Sequence, residues 1–256
     1  MQKSAEMSER QRAYLKAMDI DVWVRRDAGA DGVVEASVLP PHIAVPPATV
    51  EAPPVPEHQG PPAVSGLDWT ALEQQVGNCT LCELHATRTQ TVFGVGNRQA
   101  DWLIIGEAPG ADEDRQGEPF VGRAGQLLNA MLKAIGLCRE QVYIANILKC
   151  RPPGNRDPRP EEAACCSAYL QRQIELIQPK LILALGRIAA QRLLQSNTSL
   201  ARMRGQVHRL EPSGTPLMVT YHPAYLLRSP AEKRKAWADL LAARQFVRQT
   251  SDGQPA

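Results

Sequence analysis

The ten residues Asp101-Trp-Leu-Ile-Ile-Gly-Glu-Ala-Pro-Gly110 decide the fold. A short apolar run closed by glycine and proline is too brief for a helix and reads as a strand buried on both faces. Outward from it, Ala124–Ile135 reads as a helix, Val142–Ile147 as a strand, Arg159–Ile177 as a helix and Lys180–Leu185 as a strand. Arg187–Gln195 is then a helix, Leu217–Thr220 a strand and Ala231–Arg248 a basic amphipathic helix. Strands separated by helices of this length imply crossovers. The expected fold is therefore α/β, a three-layer α/β/α arrangement around a central, mostly parallel four-stranded sheet. Such sheets bind ligands beyond the carboxyl ends of their strands. The positions after Ile105, Ile144 and Thr220, holding Gly106–Gly110, Asn146 and His222-Pro223, are accordingly expected to share one cleft.

With 256 residues, 43% hydrophobic and 22% charged, the chain is neither collagen-like, nor a disulfide scaffold, nor wholly disordered. Apolar runs such as 181–185 fall far short of the ~20 residues a membrane helix needs, so no membrane partner is expected. The first residues lack an apolar signal core. That predicts a cytoplasmic protein whose six cysteines stay reduced, with metal or cluster ligation as their leading use. Charge is divided: residues 1–65 carry six basic against nine acidic side chains, and residues 66–250 carry 23 against 17. A positive body suits a polyanion without proving one. Nine of the 21 prolines lie between Pro40 and Pro62. The organisation predicted is a small helical segment over 1–35, a Pro-rich linker over 36–66 and an α/β domain over 67–250.

Gly94-Val-Gly96 precedes a strand and lacks a third glycine, so it fails as a dinucleotide fingerprint. Cys79-Thr-Leu-Cys82 is a thiolate pair of the kind zinc and iron–sulfur sites use, with Cys150 and one of Cys165 and Cys166 available to complete four ligands. Thiolates alone do not choose iron over zinc. Cys138 reads as a small buried residue. Glu107 sits in a sharp Gly-Glu-Ala-Pro-Gly turn where a carboxylate could hold a water. Phe120 lies in a glycine-punctuated loop, Ala111–Gly125, above the expected cleft, where an aromatic ring can stack on a flat ring. Asn146 offers an amide that matches a base edge carrying adjacent carbonyl and N–H groups. His222 opens the loop Tyr221–Arg228, whose apolar and basic tips could enter a duplex.

Taken in order, CTLC (79–82), GEAPGADEDRQGEPFVGRAGQLLNAML (106–132), NILKCRPPGNRDP (146–158) and YHPAYLLRS (221–229) resemble the family 4 uracil-DNA glycosylases, the iron–sulfur members of their superfamily. The resemblance spans about residues 67–248. It implies a [4Fe-4S] cluster on Cys79, Cys82, Cys150 and Cys166, with Cys165 the competing ligand. It implies that Phe120 stacks on a flipped uracil, Asn146 pairs with its O4/N3 edge, His222 donates to O2, and Glu107 lies beside the hydrolytic water. Some relatives have an Asp where this chain has Ala108, so no strong general base is implied. Gly106, Ala108 and Gly110 would line the substrate, and free N–H groups of that turn would help hold the departing anion. Arg151, Arg156, Tyr225, Leu226 and Arg228 would contact DNA. The function implied is monofunctional excision of uracil from single- and double-stranded DNA, leaving an abasic site. The matching loop of a covalent uracil-trapping relative contains a His; Lys149–Arg159 has none. The alternative is a non-catalytic iron–sulfur or zinc DNA-binding module, recruited to repair or replication proteins through its N-terminal arm.

Overall fold

A computed structural model describes residues 63–251. The expected N-terminal segment and nearly all of the expected linker lie outside the described residues. Within them, helix α1 (Trp69–Gly77) precedes strand β1 (Val95–Gly96), β2 (Trp102–Gly106), α2 (Ala111–Gln116) and α3 (Arg123–Ala134). Strand β3 (Tyr143–Asn146), α4 (Pro160–Ile177), β4 (Leu181–Leu185), α5 (Arg187–Leu193) and α6 (Leu200–Met203) follow. Strands β5 (His208–Leu210) and β6 (Thr215–Thr220) lead to α7 (Pro223–Arg228) and α8 (Lys233–Ser251).

The strands form one sheet in the order β1-β3-β2-β4-β6-β5. Its centre, β3-β2-β4-β6, is the expected parallel four-stranded sheet, with Ile104 opposite Ile144 on one side and Leu183 on the other. Two short antiparallel strands, β1 and β5, extend it at the edges and were not expected from the sequence. Every residue of β2, β3 and β4 is buried, as strands covered on both faces must be. Alternate side chains go to opposite faces. Leu103, Ile105, Ile182 and Ala184 meet Leu170 and Ile174 of α4, while Ile104, Ile144 and Leu183 meet Leu128 and Leu132 of α3 and Leu240 of α8. Full burial of one such aliphatic side chain is worth about 1.5–3 kcal/mol, so the two layers hold the strand ends rigidly in place.

Three further expectations need correction. The stretch 111–116, expected as loop, forms α2, its acidic first turn placed at the positive end of a helix. The segment after His222 is likewise helical, with Pro223 at the first position and His222 as its cap. Cys138 is exposed rather than buried. No helix among the described residues is long and apolar enough to cross a membrane.

Candidate active site

Beyond the carboxyl ends of β2, β3 and β6 lies a cleft of about 440 Å³ lined by Glu107, Phe120, Asn146 and His222, with Arg156, Asp157 and Arg228 at its margin. The shared cleft expected from strand order is thus present. Gly106 ends β2 because nothing larger fits. A Cβ there would sit 2.4 Å from Asn146 Oδ1 and 2.6 Å from Phe120 Cζ.

Asn146 ends β3 and is 1% exposed. Its Oδ1 is buried with no hydrogen-bond partner among the described residues. An acceptor in that condition normally costs about 1–3 kcal/mol, and the great majority of buried polar atoms avoid it.

Phe120 has a left-handed backbone, φ 55°, rare for a bulky residue. Its carbonyl lies against Gly125, where a Cβ would come within 1.7 Å of the oxygen. Glu113 fixes both ends of this turn: Oε1 accepts the Val121 and Gly122 N–H groups at 3.0 and 3.1 Å, and Oε2 accepts the Gly110 N–H at 3.1 Å. The Arg139 guanidinium donates to the Phe120 carbonyl at 3.3 Å and to that of Pro119. The Phe120 ring is 5.5 Å from the His222 ring, tilted by 32°.

His222 Nδ1 accepts the Ala224 N–H at 3.2 Å. Burial, reinforced by the Arg228 charge and opposed by Glu113, pushes its imidazolium pKa down to about 4. The ring is therefore neutral near pH 7. With Nδ1 accepting, its single proton sits on Nε2, free to donate. Glu107 is shifted the other way, up to about 7, by burial and then by the negative Asp157, with Arg187 opposing. Near neutrality it divides between acid and carboxylate.

Several sequence expectations change here. The Gly110 N–H is committed to Glu113 and is not free for a departing anion. Leu226 is 1% exposed and belongs to the core, whereas Tyr225 and Leu227 on the same short helix are 38% and 36% exposed. Arg156 lies at the cleft but is engaged by the buried Glu162, its Nη1 donating to Oε2 at 2.9 Å. Arg151 Nε donates to Asn155 Oδ1 at 2.7 Å. Glu113, Arg139, Asp157 and Arg187 were missed. Only Glu113 left a trace in the sequence, as a Glu three positions after the glycine that caps α2.

Five of the six cysteines gather near α4, with Cys82, Cys150 and Cys166 packed in the layer that α4 covers. Cys79 and Cys82 are half-buried after α1, Cys150 is buried after β3, and Cys165 and Cys166 are buried in α4. They sense one another electrostatically: Cys82 with Cys79, Cys150 and Cys165, and Cys166 with Cys150 and Cys82. Burial pushes the Cys82 and Cys166 thiols up to about 11 and about 12. Without a cationic centre they hold their protons. Among the described residues, no three His, Cys, Asp or Glu side chains are gathered as a single metal ion would need. Cys165 Sγ is directed at the Leu81 carbonyl, 3.5 Å away.

Between the two regions lies Lys149, 1% exposed. Its Nζ donates to the carbonyls of Asn146 and Phe93 at 3.1 and 3.2 Å and to Gln173 Oε1 at 2.6 Å.

A sheet of this order, with a glycine-floored cleft at its strand ends that sets an aromatic ring, a buried amide and a neutral imidazole together, defines an α/β protein with a strand-end binding cleft. The chain belongs to the uracil DNA glycosylase superfamily, whose family model matches residues 93–241. More narrowly, it is 48% identical over 172 residues to the type-4 uracil-DNA glycosylase of Archaeoglobus fulgidus, a match covering 65% of this chain and 86% of that protein. It is 42% identical over 181 residues to the type-4 enzyme of Thermotoga maritima, covering 69% of this chain and 93% of the relative. The type-4 enzyme of Pyrobaculum aerophilum is also 42% identical, over 180 residues, with coverage of 68% and 92%.

Proposed function

We propose that this chain excises uracil from DNA by hydrolysing the N-glycosidic bond, leaving an abasic site. The observation that carries the reading is the orphaned Asn146 Oδ1, buried beside Phe120. Uracil presents an N3–H donor and an O4 acceptor side by side. Oδ1 would accept the first and Nδ2 would donate to the second. Phosphate binding alone would not need such a group, so the binding-module alternative is not favoured.

A base in a duplex cannot reach this cleft until it leaves the stack, at a cost of a few kcal/mol that is least in mismatched or single-stranded DNA. Tyr225 and Arg228 line the cleft, and Leu227 is exposed on the same helix α7; Tyr225 and Leu227 would occupy the space the base leaves, with Arg228 and Arg151 toward phosphates. Once seated, the base stacks on Phe120 and pairs with Asn146. As the glycosidic bond lengthens, negative charge grows on the pyrimidine. His222 Nε2–H donates to O2, and being neutral it needs no prior protonation near pH 7. In its ionised form Glu107 orients the attacking water and balances the positive sugar. No lysine lines the cleft among the described residues, so no amine is available there as a covalent nucleophile.

Cys79, Cys82, Cys150 and Cys166 would hold a [4Fe-4S] cluster, with Cys165 kept as a thiol by its carbonyl contact. The thiols fit such a group. They come from three chain segments, share one buried region, and become favourable as thiolates beside a cationic core, while a cluster spans more space than one ion. When bound, the cluster supplies a covalent brace between the α1 loop, the β3 loop and α4. Residues 1–65 would serve as a tether for a repair or replication protein, a role separable from catalysis by deleting them.

The test is uracil release from a labelled oligonucleotide, single-stranded and as a U:G duplex, with an alkali step. Strand scission at uracil that depends on alkali is the expected result. DNA binding by folded protein with no uracil released would overturn the reading.

A further inference from the structure

Besides Tyr169, which meets Cys79, a charged side chain touches the cysteine region without being one of its thiols. Arg88 lies in the segment between the Cys79–Cys82 loop and β1. Its Nη1 donates to Cys150 Sγ at 3.0 Å, and its Nη2 donates to the carbonyl of Gly77 at 3.2 Å. Gly77 is the last residue of α1, two positions before Cys79. A single planar guanidinium thus spans the two halves of the cysteine site, the loop that carries the first pair and the loop that carries Cys150. The fork is rigid and always charged, which a lysine ammonium cannot reproduce at two acceptors on separate segments. The next residue anchors the segment from the other side. The Thr89 N–H donates to both carboxylate oxygens of Asp114, at 3.0 and 3.1 Å, and Asp114 is 3% exposed.

We propose that Arg88 is a positioning residue of the cysteine site, fixing the Cys150 sulfur by an N–H···S bond and withdrawing electron density from it. This rests on the reading of Cys150 as a cluster ligand. A thiolate-ligated iron–sulfur cluster carries net negative charge, and its reduction potential depends on hydrogen bonds to its sulfurs and on nearby charge. A cationic donor on one sulfur stabilises the reduced, more negative state and raises the potential. The same contact slows departure of the Cys150 thiolate from iron, because the sulfur is held whether or not the metal bond is momentarily open.

The experiment uses the full chain purified without oxygen, with iron and acid-labile sulfide measured first. Arg88→Met and Arg88→Lys are then compared with the parent by redox titration of the cluster absorbance and by the decay of that absorbance under a ferrous-iron chelator. The expected result is a midpoint shifted to more negative potential in Arg88→Met, with several-fold faster loss of absorbance. Arg88→Lys, which keeps the charge and loses the fork, falls between for the potential and close to Arg88→Met for iron loss. Should Arg88→Met fail to fold, the lysine variant carries the test through its iron loss. Iron-loaded variants matching the parent in both midpoint and decay overturn the proposal. A folded parent without iron or sulfide overturns the cluster reading and this inference with it.

Discussion

Asn146 presents two oxygens to two different regions, and the protein treats them in opposite ways. Its backbone carbonyl faces the interior toward the cysteines, where Lys149 donates to it and where Gln173 and Phe93 complete the three acceptors of the Lys149 amino group. Its side-chain oxygen faces the cleft, equally buried, and has no partner among the described residues. Interiors satisfy polar atoms wherever they can. The contrast within one residue therefore separates scaffold from site: saturation holds β3 still, and under the proposed function the unsatisfied atom it carries is the one that would meet the base.

Three changes would break or sharpen that contrast. The largest effect belongs to the cleft. His222→Ala should slow the single-turnover release of uracil by about 10²–10³, the usual effect of deleting one donor to a developing anion, while DNA affinity holds. A loss confined to DNA binding would remove His222 from the chemistry. Next comes the interior. Gln173→Leu takes one of three acceptors from the buried Lys149 amino group, together with the Gln173 Nε2 donor to the Phe93 carbonyl, and should lower stability by about 1–3 kcal/mol, read by denaturant unfolding of the loaded protein. No change would mean that the network is not what holds β3.

The smallest effect is in pH. With Glu107 raised to about 7 and, under the proposed function, acting as a carboxylate, the single-turnover rate should climb through that pH and gain roughly a doubling above it. His222, with its pKa near 4, should add no inflection between pH 5 and 8. Glu107→Gln should flatten the rising limb, and a limb that persists would assign it to another group.

What the sequence disclosed follows from how local each signal is. The buried strands at 102–106, 143–146 and 181–185 announce themselves as apolar runs between turn residues, and parallel crossovers then place their ends together. Edge strands β1 and β5, of two and three residues, are too short to show any period. Helix α2 carries no apolar stripe in ADEDRQ and is held by its capping contacts. The cleft residues Glu107, Phe120, Asn146 and His222 were legible because each stands beside a strand end or a glycine turn. Leu226 was misplaced because, within a helix, one residue of phase decides between core and surface, and a loop reading supplies no phase. Glu113 and Arg139 act through backbone groups that only the folded chain brings near.

The central claim is that the orphaned amide oxygen reads the base. Asn146→Ala removes it, and with it two hydrogen bonds to a pyrimidine that gains negative charge, each worth about 1.5–3 kcal/mol when charge-assisted. Measured together on the loaded protein, uracil release should fall by about 10²–10⁴, DNA affinity should hold, and thermal stability should not drop, since no folded-state bond to Oδ1 is lost. Normal release, or a melting temperature lowered in step with activity, would contradict the account.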